Sequence, residues 1–188
     1  MGRQFWEETV SWATSDGVAV NTSTTETIVM PNVTIPANFM QDGRVLRVTV
    51  MGRWSSLTAT TPTVTWRIRW GGVAGTLLVT SGAITTTSTA TTSGPFKMEV
   101  LIQTRTNGSS GTLFGFGEIW MQNGAAATLG TATNLTGGMA LTSTGTTVPA
   151  AVTVDLTADT ALSITGQWSA SSVSNAFTGH IYTVEALN

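Results

Sequence analysis

Between Gly43 and Gly72, in the run GRVLRVTVMGRWSSLTATTPTVTWRIRWGG, residue types alternate with a period of two, twice over. Such alternation marks a half-buried β-strand, because successive side chains of an extended chain point to opposite faces. In the first half Leu46, Val48, Val50 and Trp54 share one face, and Arg47, Thr49, Met51 and Arg53 the other. In the second, Val64, Trp66, Ile68 and Trp70 alternate with Thr63, Thr65, Arg67 and Arg69. A Thr/Ser/Pro stretch joins the halves, so the segment reads as two amphipathic strands with a sheet core on one side and an arginine and threonine surface on the other.

The rest of the chain has the composition such strands need. Threonine makes up about a fifth of the 188 residues, and a β-branched hydroxyl residue suits a pleated, half-buried surface better than a helix. Charged residues are only 10%, against about 25% in an average soluble domain. Lys97 is the single lysine and the formal net charge is −2, which supplies no basic field for nucleic acid. There is no cysteine, hence no disulfide and no thiolate metal site. No apolar run of 18 residues occurs and the N-terminus MGRQFWEETVSW has no signal-peptide core. The expectation is a soluble protein made in the cytoplasm, with no membrane partner.

Further strands are expected at Ile28 to Met30, across Pro95 to Arg105, from Thr112 to Gln122, from Ala161 to Trp168 and from Phe177 to Leu187. The loop NGSSG at Asn107 to Gly111 joins two of these as a hairpin. Phe96, Met98, Val100 and Ile102 alternate with Lys97, Glu99, Leu101 and Gln103. In the returning strand Phe114, Phe116 and Trp120 share a face opposite Gly115 and Gly117. Residues 1–17 read as an N-terminal arm or short helix, and residues 18–188 as a single domain. Eight to ten short strands without an amphipathic helix predict an all-β, antiparallel β-sandwich, with the jelly roll as preferred topology. An immunoglobulin-like order and a closed barrel remain open alternatives.

Catalytic constellations are sparse. His180 is the only histidine and no nucleophile-elbow motif surrounds any serine, so a structural or surface role is expected for it. Glu99 and Glu118 could form the carboxylate pair of a glycosidase. Pairing Leu101 with Phe116 would bring them together, but cross-strand charge pairing with nearby Arg and Lys is the simpler account. Asp155, Thr157 and Asp159 have oxygen-ligand character, yet without the rest of a calcium loop they read as a turn. No cofactor is expected. Trp66, Trp70, Trp120 and Trp168 lie on apolar faces and are expected in the core, with subunit contact preferred over sugar contact for an exposed tryptophan.

The segments TIPANFMQDGRVLRVTVMGRW, VTWRIRWGGVAGTLLVTSGAITT, PFKMEVLIQTRTNGSSGTLFGFGEIW and YTVEALN resemble a group of tailed-bacteriophage virion structural proteins. These are small Thr/Gly-rich β-sandwich proteins of the capsid decoration (cement) or fibre type. The pattern is a Pro-Ala-Asn turn, a Gly-Arg-x-Leu-Arg strand, and an Arg-x-Arg strand followed by Gly-Gly, matched at Ile35 to Arg47 and Arg67 to Gly72. The resemblance implies a non-enzymatic homotrimer on the virion, bound to the major capsid protein and to copies of itself. Its alternative is a tail or fibre receptor-binding domain that holds glycans. Candidate interface residues are Phe5, Trp6, Trp12, Arg47, Arg53, Trp54, Arg67 and Arg69, with the aromatic N-terminal segment as a clasp.

Overall fold

A computed structural model describes residues 7–56, 61–86, 90–122, 139–143 and 149–187. Among them are fourteen strands, all paired antiparallel. Eight have five or more residues: β1 (Glu8–Trp12), β5 (Val45–Ser56), β6 (Thr63–Trp70), β7 (Thr76–Thr80), β9 (Thr91–Thr106), β10 (Gly111–Met121), β13 (Thr160–Trp168) and β14 (Ala176–Ala186). The short ones are β2 (Val20–Asn21), β3 (Thr27–Ile28), β4 (Val33–Ile35), β8 (Ile84–Thr85), β11 (Met139–Thr142) and β12 (Val152–Val154). The expected antiparallel all-β architecture is therefore observed.

Hydrogen bonding runs in the order β1-β14-β5-β9-β10-β11-β7-β6-β13-β3, and the path has two ends, so it does not close into a barrel. It forms two sheets, β1-β14-β5-β9-β10 and β7-β6-β13, with β11 paired to both β10 and β7. The pairings are nested: β9 with β10, β7 with β11, β6 with β13, and β5 with β14. Each pair in turn encloses the one before it in sequence.

The alternation of the opening segment explains the layering. Leu46, Val48 and Val50 on β5, Phe96, Met98, Val100 and Ile102 on β9, and Val64, Trp66, Ile68 and Trp70 on β6 all point inward and are buried. The sheets meet through aromatic rings. The Trp66 ring centroid is 4.6 Å from that of Phe96 and 4.9 Å from that of Phe177, while Trp168 lies 5.9 Å from Phe177 and 6.4 Å from Trp54. Removing a ring such as Trp66 from a core of this kind costs about 3–5 kcal/mol, the transfer of the lost atoms plus the cavity left behind.

Two tryptophans depart from expectation. Trp54, a candidate interface residue, is 3% exposed and packs against Trp168, because it keeps the inward phase of Leu46, Val48 and Val50 along β5. Trp120, expected in the core, is 36% exposed. On β10 it is the glycine side that faces inward. A Cβ at Gly115 would stand 2.4 Å from Val79 Cγ1, and one at Gly117 2.2 Å from the carbonyl oxygen of Glu99. The neighbouring chains approach too closely for a side chain there, so the aromatic side of β10 turns outward.

Residues 8–12, expected within an arm or helix, form an edge strand on β14. Ala13 and Gly17 continue the attachment, their amides donating to the carbonyls of Tyr182 and Gly179 at 3.0 and 2.9 Å. β3 and β4 extend the second sheet at its β13 edge, and the stretch that carries them covers part of the sheet's outer side through Glu26 and Asn32, which accept from the buried hydroxyls of Thr165 and Ser163.

Candidate functional site

The outward face of the first sheet is built by the residues that alternate with its core. Its register defines three rungs. Ile181, Met51, Lys97 and Trp120 stand side by side across β14, β5, β9 and β10; next come Thr183, Thr49, Glu99 and Glu118; then Glu185, Arg47, Leu101 and Phe116. Trp12 extends the middle rung from β1, opposite Thr183. Facing side chains on neighbouring strands are about 4.5–5.5 Å apart at Cβ, so these residues form a continuous surface. Within it Phe116 is 50% and Trp12 63% exposed, and Leu101 and Ile181 are also exposed.

Charges on this face are paired unevenly. Arg47 donates from Nε to Glu185 Oε2 at 2.8 Å and from Nη2 to Glu7. The hydrogen bond to Glu185, against the cost of partial burial and helped by the charges of Glu185, Glu7 and Glu99, holds its guanidinium above its ordinary value. Lys97 Nζ sits 2.8 Å from Glu99 Oε2, and that hydrogen bond keeps the Glu99 carboxyl below its usual range. Glu118 is exposed and faces Glu99, with no cation in ion-pair contact among the described residues.

The other arginines divide. Arg67 and Arg69 lie on the outer side of β6 but are clamped by Glu26 from the covering stretch. Arg69 donates to both carboxylate oxygens, at 2.6 and 2.9 Å, and Arg67 Nη1 donates to Oε2 at 3.0 Å. Thr165 Oγ1 donates to Oε1 at 2.5 Å. Burial disfavours the Glu26 charge, but the hydrogen bonds from Arg69 and Thr165 and the charges of Arg67 and Arg69 outweigh it, so its carboxyl titrates below its ordinary value. These two arginines therefore serve internal cohesion. Arg53 is exposed at the far end of β5.

Of the candidate interface residues, the structure brings Trp12, Arg47 and Arg53 onto the first sheet's outer face. Trp54, Arg67 and Arg69 are placed elsewhere, and Phe5 and Trp6 lie outside the described residues. Sequence reasoning placed Leu101 on the outward side with Lys97 and Glu99, as observed, but missed Phe116, Trp120 and Ile181 as surface residues and Glu26 as the clamp. The signal for Phe116 was available, since pairing it with Leu101 places it on the side of Lys97 and Glu99.

The remaining candidates fall into simple roles. Glu99 and Glu118 do face each other as the hairpin implied, across neighbouring strands of an open ladder. His180 sits at the irregularity between Gly179 and Ile181 with Nδ1 2.8 Å from Asp16 Oδ1. Asp155 closes a turn, its Oδ1 accepting from the amide and hydroxyl of Thr157 at 2.8 and 2.7 Å, while Asp159 Oδ1 accepts from the Ala37 amide at 2.8 Å. Among the described residues no three His, Asp or Glu side chains gather as a metal site. Comparison of the chain with protein-family models, with curated proteins and with solved structures finds no match.

Proposed function

We propose that this protein is a non-enzymatic structural protein of a tailed-bacteriophage virion, most specifically a capsid decoration protein that binds the shell and copies of itself through the outer face of the first sheet. The observation that carries the reading is the cluster of exposed Phe116, Leu101, Trp120 and Ile181 interleaved with charged side chains on one flat face. Large apolar and aromatic residues collected on a surface mark protein contact, and tryptophan and phenylalanine are enriched there. Glu118 supplies an acid that a cation of the partner would match. The nested pairing of β9 with β10 out to β5 with β14 supports a jelly-roll reading of the topology, in which a long folded ribbon wraps into two sheets.

Purified virions carrying this chain in their protein inventory, and a solution mass of three times the 19.6 kDa chain, are the expected results. Absence of the chain from purified particles overturns the reading. A tail or fibre receptor-binding domain is the second reading, favoured by Trp12, whose exposed ring is free to stack on a sugar. Glycan-array binding that disappears in Trp12→Ala supports it, and no glycan binding removes it.

A further inference from the structure

At the far end of the first sheet the outer face is interrupted by a hollow. Trp54 pairs with Gly94 and Ser56 with Thr91, so Thr92 and Ser93 together oppose Ser55 alone. This is a β-bulge, a device that re-aims side chains and recurs beside binding sites. Ser93 sits in it at φ 53°, a left-handed conformation uncommon for a residue with a Cβ, and its amide donates to Ser55 Oγ at 3.0 Å. Strained backbone of this kind collects at ligand sites. Two adjoining depressions of about 270 and 300 Å³ open around the bulge, sharing Ser55 and Ala176 as walls.

The walls hold unmet hydrogen-bonding capacity. Arg53 and Thr178 are a facing pair on β5 and β14, and both line the hollow with Ser55 and Ser93. Arg47, Arg67 and Arg69 each have a carboxylate, whereas no carboxylate lies within ion-pair reach of Arg53 among the described residues. Trp54 Nε1 and Ser56 Oγ belong to lining residues, are buried, and have no hydrogen-bond partner. Both side chains follow the inward phase of β5 and are closed off from solvent, so they lie behind the hollow and the binding groups are those of its open wall.

We propose that the hollow is a binding site for a carboxylate-bearing sugar, a uronic or sialic acid unit. Arg53 holds the carboxylate, for which its planar fork of donors is shaped. Ser55, Ser93 and Thr178 exchange hydrogen bonds with the sugar hydroxyls. One cation among neutral hydroxyls matches a singly charged, polyhydroxylated ligand better than a doubly charged phosphate. The volume, at the low end of the usual range of about 300–1,000 Å³, suits one sugar ring. By strand rise Arg53 lies about 20 Å along β5 from Arg47 and about 7 Å from Met51, whose rung carries Trp120 and Ile181. The hollow therefore borders the proposed contact face, while sugar binding by the free chain does not depend on that contact.

The test is an amide NMR titration of the full chain with glucuronate and N-acetylneuraminate, with glucose and acetate as controls, repeated on Arg53→Gln. Shifts confined to Ser55, Ser93, Thr178 and their neighbours are expected with the acidic sugars, with affinity at least tenfold weaker for glucose and for the variant. Arg53 is exposed, so the variant's spectrum away from the hollow should be unchanged. Absence of shifts with both acidic sugars overturns the proposal. So does acetate binding equally well, an adventitious anion only, or glucose binding as tightly as glucuronate.

Discussion

Glu118 stands directly opposite Glu99 across the β9–β10 ladder. Lys97 answers Glu99, leaving Glu118 to face a like charge. Like charges at facing positions destabilise a sheet, and an opposite pair contributes roughly 0.2–1 kcal/mol. Glu118→Lys should therefore raise the stability of the isolated chain by about 0.5 kcal/mol, read as a higher urea midpoint. The same variant should weaken self-association if Glu118 meets a partner cation. A lower midpoint would show that Glu118 already has a stabilising contact.

Glu26 ties the covering stretch to β6 and β13 through Arg67, Arg69 and Thr165. Its folded carboxyl titrates below its ordinary value of 4.5, so its contribution is fully present above that pH and is lost as the pH falls through the folded value. Glu26→Gln should cost about 2 kcal/mol at neutral pH. The gap between wild type and variant should narrow as the pH is lowered from 4.5. Denaturant titrations across that range check this, and a gap independent of pH would contradict it.

Tyr182 is buried beneath the first sheet, with its hydroxyl unpartnered and its ionisation pushed well up by burial alone. An unpaired buried hydroxyl carries a desolvation cost without a compensating bond. Tyr182→Phe should be neutral or stabilise the protein by up to about 1 kcal/mol. Thermal unfolding would show it, and a loss larger than that would mean the hydroxyl has a partner.

At Gly117 on β10 a Cβ would stand 2.2 Å from the Glu99 carbonyl oxygen on β9. Backbone cannot step aside as a flexible side chain can. Gly117→Ala should destabilise by about 1–3 kcal/mol, the usual cost of overpacking. A chain with unchanged stability would show that the ladder can separate locally.

Much of the fold is legible in residue order because inward and outward positions differ sharply on β5, β6 and β9. On β10 that contrast fails, since one side carries Phe114, Phe116 and Trp120 and the other Leu113, Ile119 and Met121 with two glycines between them, and hydrophobicity does not separate the two sides. Only the strand register does, by placing Phe116 beside Leu101 and Trp120 beside Lys97. Trp54 keeps in the sequence the inward phase of Leu46, Val48 and Val50, and its candidacy as an interface residue runs against that phase. The Glu26 clamp is non-local, joining a polar tract to arginines 41 and 43 residues away, and no spacing rule announces such a contact. Arg67 and Arg69 therefore read as a free surface until the covering stretch is in place.

The most direct test of a virion contact through the first sheet is a cryo-electron microscopy map of the intact particle with this chain assigned. The account predicts the chain on the particle surface with Leu101, Phe116 and Trp120 buried against the shell or a neighbouring copy. A particle in which that face is open to solvent, or from which the chain is absent, would contradict it.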